Sequence, residues 1–262
     1  MQVKDVLAYL ETLAPRYMKM DWDNVGLLCG RETKTVERIL VALDPFEDVC
    51  REAISWGADV IVTHHPLIFQ APRAITEDTS VGRCILTLAA HDIAAVNAHT
   101  NLDCAPGGVN DVLAERLGLS EVRVLNPQGT DAHGRPWGLL RAGSLAPMPL
   151  ETFLALVKER LHCPGLRYVD GGKAVSRVAV GGGACGDGLR DAFDAGCDTF
   201  VTADVKYNQF WDARDLGLNL VDAGHFWTEN PVCGSLADKL REKFPGCLVK
   251  VSENHGDRIN FW

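Results

Sequence analysis

The stretch at residues 51–65 reads REAISWGADVIVTHH and combines a helical pattern of apolar residues with a short apolar run. The spacing of its apolar residues, together with those just before it, predicts a helix over residues 47–56. The apolar run at residues 59–63 predicts a buried strand, which His64 and His65 follow directly. An amphipathic helix followed by a short β-branched strand is the repeating unit of α/β proteins. The stretch therefore predicts one helix–strand unit with a polar end.

The same pattern recurs in the second half of the chain. Residues 190–204, RDAFDAGCDTFVTAD, align with residues 51–65 without gaps and share Arg, Ala, Gly, Asp, Val and Thr at equivalent positions. Two flanking pairs of segments match in the same order, namely 38–44 with 177–183 and 92–100 with 218–226. Any two helix–strand units share part of this pattern, but three matches in one order favour an internal duplication.

Short strands and helices continue to alternate on both sides of these repeats. The alternation predicts an α/β fold of two related lobes, residues 1–125 and 126–262, with mostly parallel or mixed sheets flanked by helices. The turn-rich segment 126–136 is predicted to join the lobes. The chain is predicted to end with a helix over 228–243 and a strand over 247–251.

The composition restricts the class of protein. With 262 residues, 47% of them hydrophobic and 23% charged, the chain has the composition of a globular protein. No apolar run approaches the roughly 20 residues of a membrane span, and the N-terminal segment lacks the regions of a signal peptide. We therefore expect a cytoplasmic protein with no membrane partner. The net charge of −9 disfavours nucleic acid as a partner. The nine cysteines include no CxxC pair, which predicts reduced, mostly buried thiols.

Polar side chains cluster just after four of the predicted strands. They are His64 and His65, the segment HTNLD at 99–103, Asp204, and His225. In open α/β sheets, ligands bind outside the carboxyl ends of the strands, so two facing lobes would bring these side chains to one shared cleft. Adjacent residues on a straight strand point to opposite faces, so His64 and His65 can reach one site only where the chain bends.

The histidines and carboxylates of this set have the chemistry of divalent-metal ligands. His225 and Glu229 are four residues apart, which places both on one face of a helix. A strand-capping histidine pair and an ordinary His–Glu contact on a solvated helix are the alternatives without a ligand. Taken together, the candidate ligands, with His99 nearby, are His64, His65, Asp103, His225 and Glu229.

The number and charge of these ligands favour two ions. Nitrogen and carboxylate ligands suit Zn, Mn, Fe or Co. Five ligands would leave a single ion little open coordination, whereas two ions would each keep an open face. Because two carboxylates neutralise only half of the charge of two divalent ions, the site would stay positive and attract a small anionic substrate. We therefore expect two divalent metal ions as cofactors.

Five motifs carry a resemblance to a known family. The segments DWDNVGLLCG, IVTHHPLIF, AHTNLD, GGVND and AGHFWTE occur in that order and span nearly the whole chain. As a set they resemble the motifs of the YbgI-like, or NGG-interacting-factor-three-like, family, which is also called GTP cyclohydrolase I type 2 homologue. The resemblance implies two related α/β lobes and a ring-shaped homohexamer whose metal sites face an inner cavity. It also implies that a dinuclear metal centre is held by His64, His65, Asp103, His225 and Glu229.

Four further features bear on the site. The resemblance leads us to expect a Tyr-His pair after TAD, but the chain has Tyr207 and Asn208. The segment GGGACGDG at 181–188 either cradles phosphate on its backbone N–H groups or forms a tight turn. Asn110 is predicted to cap a helix. The first motif contains a loop that either contacts substrate or is simply pinned in place, and its residues are Trp22, Asp23 and Asn24.

The leading functional hypothesis is a dinuclear metal-dependent hydrolase acting on a small anionic substrate such as a nucleotide. His99 is the candidate proton shuttle. GTP ring opening is the activity that the resemblance suggests, and phosphoester hydrolysis is equally compatible with such a centre. The alternative is a non-catalytic metal-binding assembly or interaction protein, whose metals would be saturated by protein ligands. DNA binding is the weakest hypothesis, because the chain is acidic.

Overall fold

The computed structural model describes all residues, 1–262. The thirteen strands, β1 to β13 in chain order, are Gly26–Cys29, Arg38–Ala42, Val60–Thr63, Ala94–Asn97, Ser120–Leu125, Gly129–Thr130, Pro136–Trp137, Leu140–Met148, Arg167–Val169, Val175–Val180, Thr199–Thr202, Asn219–Asp222 and Leu248–Val251. The ten α-helices, α1 to α10, are Val3–Leu13, Glu47–Trp56, Ser80–Ala90, Thr100–Cys104, Val109–Leu117, Leu150–Leu161, Leu189–Asp194, Tyr207–Leu216, His225–Glu229 and Pro231–Lys243. The chain divides into two compact units: residues 1–102 with 233–256 form the first, and residues 103–232 with 257–262 form the second.

The first unit is built on a five-stranded sheet in the order β1-β4-β3-β2-β13. Strands β4, β3, β2 and β13 are parallel, and β1 is antiparallel at one edge. Strand β3 is buried along its whole length, as expected for a central parallel strand. Helices α2 and α3 cover one face, where Ala53 and Leu88 pack with Leu40 and Ile61 of the sheet. The carboxyl ends of the parallel strands therefore lie together at one edge of this sheet.

The second unit is built on a six-stranded sheet in the order β5-β8-β10-β11-β12-β9. Its three central strands, β10, β11 and β12, are parallel, and the outer strands run antiparallel to them or to each other. Alternate residues of β10 serve opposite faces: Val178 and Val180 pack with Phe153 of α6, whereas Ala179 packs with Leu189 of α7. An α/β fold with several sheets flanked by helices, as predicted from the sequence, is confirmed.

The two aligned stretches have the same local hydrogen bonds. In the first unit the Asp59 carboxylate accepts the backbone N–H of Arg38, whose guanidinium donates to the carbonyl of Trp56. In the second unit the Asp198 carboxylate accepts the backbone N–H of Arg177, whose guanidinium donates to the carbonyl of Ala195. Each helix is followed by a glycine with positive φ, 72° and 74° respectively. These equivalent contacts agree with the sequence alignment, and descent by duplication stays a prediction.

The structure differs from the sequence prediction near the C-terminus. The single helix predicted over 228–243 is two helices, α9 and α10, because Pro231 has no backbone N–H and starts a new helix. The last strand, Leu248–Val251, pairs in parallel with β2 and so lies in the sheet of the first unit. In agreement with this pairing, residues 233–256 belong to the first compact unit.

The turn-rich segment at 126–136 does not separate the two units. It contains β6 and contributes to the β6–β7 hairpin, and it lies wholly within the second unit. No disulfide links the nine cysteines, and seven of them are buried, in agreement with the prediction of reduced thiols. No helix of the chain combines the length and apolar character needed to cross a membrane.

Candidate metal centre

The first unit brings three histidines together at the carboxyl ends of β3 and β4. His64 and His65 follow β3 directly, and the Thr63 hydroxyl donates to the carbonyl of His65 at 2.7 Å, which bends the chain there. Because of this bend, the ring centroids of His64 and His65 lie 4.9 Å apart, and both side chains reach one site. His99 follows β4, with its ring 5.2 Å from that of His64 and 5.5 Å from that of His65. One ring nitrogen from each histidine lies within 4.8 Å of the others, so the three could hold a metal ion.

Each of these rings is oriented through its Nδ1 atom. His64 Nδ1 lies 3.0 Å from the carbonyl oxygen of Ala98, which can only accept a hydrogen bond. His65 Nδ1 lies 2.6 Å from the Asp44 carboxylate, and His99 Nδ1 lies 2.7 Å from the Asp23 carboxylate. When Nδ1 carries the proton for such a bond, Nε2 is left as the lone-pair nitrogen. Carbonyl or carboxylate partners of this kind set the tautomer of metal-binding histidines in proteins.

Asp23 is the most strongly perturbed carboxylate of this group. Burial by itself raises the pKa of Asp23, but hydrogen bonds from His99 and Thr100 outweigh this effect and lower the pKa to about 2. Its side chain also accepts the backbone N–H of Thr100 at 3.0 Å. Asp23 is therefore ionised at neutral pH and fixes the start of α4 as well as the ring of His99.

The loop before β1 contains Trp22, Asp23 and Asn24, which the sequence predicted either to contact substrate or to hold the loop in place. Asp23 and Asn24 hold the loop in place. The Asp23 carboxylate is bonded to His99, the Asn24 side chain donates to the carbonyl of Ile68 at 2.7 Å, and the backbone carbonyl of Asn24 accepts from the Asn97 side chain. Trp22 instead has 63% of its surface exposed and packs edge-on against His99. Asp23 and Asn24 therefore hold the loop in place, and contact of Trp22 with substrate stays a prediction.

The second unit has its own pair of candidate ligands at the start of α9. His225 Nε2 lies 3.0 Å from a carboxylate oxygen of Glu229, as the four-residue spacing predicted. His225 Nδ1 lies 2.7 Å from the carboxylate of Asp204, which follows β11. Glu229 is 4% exposed, whereas a third of the His225 side chain is exposed. His225 thus resembles the histidines of the first unit, because its Nδ1 atom is held by the Asp204 carboxylate while its Nε2 atom faces the Glu229 carboxylate.

The glycine-rich segment after β10 turns tightly at Gly182 and Gly183. The backbone N–H of Gly182 donates to the Asn110 side chain, and that of Gly183 donates to the Thr228 hydroxyl. These N–H groups are therefore committed to protein acceptors. Gly183 has φ of 64°, and a Cβ atom on it would lie 2.1 Å from a carboxylate oxygen of Glu229. Glycine is required here by close approach to the His225–Glu229 pair.

Asp103 lies in the second unit, at the end of α4, and is buried. Its backbone carbonyl accepts from the side chain of Asn110, which also donates to the carbonyl of Leu139. Asn110 was predicted to cap a helix, and this prediction is wrong, because α5 begins after Gly108 and Asn110 is fully buried inside it. Its amide instead links the Asp103 segment to the turn at Gly182.

Sequence reasoning named the histidines but missed one of their partners. Asp44 lies just beyond the carboxyl end of β2, as His65 does beyond β3, so its position after an apolar strand was an available signal. Asn208, which stands where the resemblance predicts a histidine, lies in the first turn of α8 and its amide is 3.5 Å from the Asp212 carboxylate. Tyr207 beside it is 78% exposed.

Comparison with known proteins identifies the family. The sequence profile of the Duf34/NIF3 (NGG1p interacting factor 3) family matches residues 1–257. The chain belongs to this family. A relative from Clostridium perfringens, named "GTP cyclohydrolase 1 type 2 homolog", is 37% identical over 245 residues, covering 93% of this chain and 92% of the relative. A Streptomyces coelicolor protein of the same name is 37% identical over 260 residues, covering 97% and 88%.

The fold of the Duf34/NIF3 family is also evident from solved structures. A Bacillus cereus protein described as related to NIF3 superposes with a TM-score of 0.93 and 28% identity, covering 100% of this chain and 99% of that chain. The resemblance predicted from the five motifs is therefore confirmed. The name of the curated relatives is a label by homology.

Proposed function

We propose that this Duf34/NIF3 protein is a dinuclear metal-dependent hydrolase of small anionic substrates, with nucleotides as the leading class. The proposed ligands are His64, His65, Asp103, His225 and Glu229, and the proposed cofactors are two divalent ions among Zn, Mn, Fe and Co. The proposed ligands come from both compact units, with His64 and His65 in the first and the other three in the second.

One observation carries the proposal: every candidate histidine has its Nδ1 atom held by an oxygen acceptor. The acceptors are the Ala98 carbonyl and the carboxylates of Asp44, Asp23 and Asp204. A histidine that merely fills space does not need a dedicated acceptor, whereas metal-binding histidines regularly have one. With Nδ1 protonated, Nε2 is the available ligand atom, and imidazole and carboxylate groups suit the ions named above. The residues present therefore fit divalent metal ions.

The residues have separable roles in such a site. A pair of divalent ions supplies Lewis-acid activation of water and of the bond to be broken. Asp44 and Asp204 hold the rings of His65 and His225 in the orientation that ligation needs. We assign His99 Nε2 the transfer of a proton to or from substrate, because Asp23 holds Nδ1 and so leaves Nε2 as the lone-pair nitrogen.

The name of the curated relatives supports a nucleotide substrate, since it refers to GTP. Opening of a purine ring and cleavage of a phosphoester both need activated water, so both reactions belong in the proposal. We also propose a ring-shaped homohexamer as the assembled form, on the basis of the family resemblance. Sedimentation analysis of the purified protein tests this assembly directly.

The central experiment measures metal content and turnover in the same preparations. Full-length protein is loaded with Mn²⁺ or Zn²⁺, its metal content is determined by inductively coupled plasma mass spectrometry, and it is screened with nucleotides and phosphoesters. We expect close to two ions per chain and hydrolysis of at least one nucleotide. The variants His64→Ala and His225→Ala should lose both metal and activity.

His133→Ala is the matched control, because His133 is exposed in a loop distant in sequence from the motifs. Since His64 is buried and its variant can fail to fold, the partly exposed His225 provides the second test. Metal content well below two ions per chain would contradict the dinuclear site. Full metal content without turnover of any substrate would contradict the hydrolase and favour the metal-binding assembly protein instead.

A further inference from the structure

Two exposed aromatic side chains lie beside the histidines of the first unit. Trp22 is 63% exposed and Phe69 is 50% exposed. Their ring centroids are 5.7 Å apart, and the ring of His99 lies 6.3 Å from Trp22 and 6.2 Å from Phe69. Each contact is edge-to-face, with interplanar angles of 63°, 72° and 80°. The three rings thus form one aromatic surface at the edge of the histidine cluster.

The two aromatic residues are brought together by hydrogen bonds rather than by burial. Trp22 lies in the loop before β1 and Phe69 in the loop after β3, and the Asn24 amide joins these loops by donating to the carbonyl of Ile68 at 2.7 Å. Asp23 follows Trp22 directly, and its carboxylate is bonded to His99 Nδ1 and accepts the backbone N–H of Asn24 at 2.8 Å. A ligand that stacks on this surface therefore meets rings on tethered loops, and the loss of conformational entropy on binding is small.

The chemistry of the surface selects a flat, unsaturated ligand. An aromatic face attracts another π-system by stacking, and each stacked base contributes about 1–3 kcal/mol in proteins that bind nucleotides this way. Saturated sugars and bare phosphates have no such face. Phe46 and Trp211 are also exposed, but neither forms a ring contact with a histidine of the site.

We propose that Trp22 and Phe69 form a stacking site for a planar heterocyclic ring, which positions the reacting part of the same molecule at His99 and the neighbouring histidines. The proposal rests on the proposed function, because it assigns a substrate class to the same site. It distinguishes a nucleotide or another ring-bearing anion from a ring-free phosphoester. Trp22 and Phe69 act in binding and orientation, and His99 remains the residue that exchanges protons.

The test measures ring binding and phosphate binding separately, by isothermal titration calorimetry on the full-length, Mn²⁺-loaded protein. Guanosine and adenosine supply the ring without phosphate, and tripolyphosphate supplies phosphate without a ring. Trp22→Leu and Phe69→Leu should weaken nucleoside binding about tenfold or more, which corresponds to the lower part of the stacking range. Trp22→Phe keeps an aromatic ring and should retain most of the affinity. None of these variants should change tripolyphosphate binding by more than about twofold, well under 1.4 kcal/mol.

The matched controls are Trp211→Leu and Phe46→Leu, since each of these side chains is 53% exposed in the native chain. Unchanged melting temperatures would establish that all variants are folded. The proposal is overturned if Trp22→Leu and Phe69→Leu bind nucleosides as tightly as the controls, or if the wild type binds neither nucleoside at millimolar concentration. A changed sedimentation coefficient with unchanged nucleoside binding would also overturn it, and would assign the pair to contacts between copies of the chain.

A second arm separates this proposal from the proposed function. His225→Ala should lose metal and tripolyphosphate binding but keep nucleoside binding, because His225 is not part of the aromatic surface. If the wild type binds nucleosides through Trp22 and Phe69 but shows no metal-dependent turnover, the stacking site stands and the hydrolase fails. If turnover is found but is insensitive to Trp22→Leu and Phe69→Leu, the hydrolase stands and the stacking site fails.

Discussion

The close approach of Gly183 to the His225–Glu229 pair makes a sharp test of the site. A Cβ atom on Gly183 would lie 2.1 Å from a carboxylate oxygen of Glu229 and 3.0 Å from Nε2 of His225. The first distance is about 1.3 Å short of the 3.4 Å at which ordinary contact begins. Because Glu229 is buried, its carboxylate has little room to retreat. Gly183→Ala should therefore displace the carboxylate from its position beside His225.

The magnitude follows from two separable effects. An alanine at φ of 64° costs about 1–2 kcal/mol through left-handed backbone strain alone. Overpacking against Glu229 adds about 1–3 kcal/mol. Displacement of one ligand should weaken metal binding about tenfold or more, which corresponds to about 1.4 kcal/mol. Gly172→Ala is the matched control, because Gly172 has φ of 78° and no atom within 4 Å of an added Cβ.

Urea denaturation and competition with a fluorescent chelator for Zn²⁺ measure the two effects independently. Backbone strain should lower the free energy of unfolding of both variants. Only Gly183→Ala should show the further decrease due to overpacking and a weaker affinity for Zn²⁺. If Gly183→Ala binds Zn²⁺ as tightly as Gly172→Ala, the His225–Glu229 pair is not a metal site. In that case the glycine serves only the turn.

Three further predictions concern the supporting residues. Asp44→Ala should weaken metal binding about 10- to 100-fold in the same chelator assay, because the Nδ1 atom of His65 loses its acceptor; unchanged affinity would contradict the role of Asp44. Glu52→Gln should lower the free energy of unfolding by about 1–3 kcal/mol at pH 7, since the buried carboxylate accepts several hydrogen bonds from the C-terminal segment. Burial raises the pKa of Glu52, but those hydrogen bonds outweigh burial, so the pKa is lower in the folded state than in the unfolded state. The stabilisation by Glu52 is therefore complete above its unfolded-state pKa of about 4.3 and is lost as the pH falls through the folded-state pKa. Urea titrations at pH 7 and below pH 4 should show the difference from wild type shrinking in acid, and a constant difference would contradict the linkage. Arg141→Met should cost about 1–3 kcal/mol in denaturation by guanidinium chloride, because the buried Arg141 side chain donates to the carbonyls of Gly138 and Ala105 as well as to the partly exposed Asp111; an unchanged stability would refute this role.

The local elements could be predicted from the sequence wherever burial produced a strong period. The helix at Glu47–Trp56 and the strand at Thr199–Thr202 have the bounds that their apolar patterns predicted. The short antiparallel strand β9 was not predicted, because an exposed three-residue edge strand has no such pattern. The helix predicted over 228–243 passed over Pro231, which has no backbone N–H and marks the break in the sequence itself.

The candidate site was predictable to the extent that it depends on residue type and local spacing. The positions of the histidines after β3 and β4, and of His225 and Glu229 on one helix face, could be predicted because they depend only on neighbouring residues of the chain. The oxygen acceptors of the histidines were decided by tertiary structure. Asp44 is 21 residues from His65, and Asp23 is 76 residues from His99, so no local period connects them.

The same distinction explains the Gly183 turn, the aromatic pair and the last strand. Gly183 could be identified as a turn residue from the sequence, but only the fold shows that it must leave room for Glu229, 46 residues further on. Trp22 and Phe69 become neighbours because the Asn24 amide joins two loops. Strand β13 had the pattern of a strand, but its place beside β2 depends on which sheet edge accepts its hydrogen bonds. Sequence thus determined the elements and the ligand types, and tertiary structure decided their partners, because hydrogen-bond partners distant in the chain leave no periodic signal.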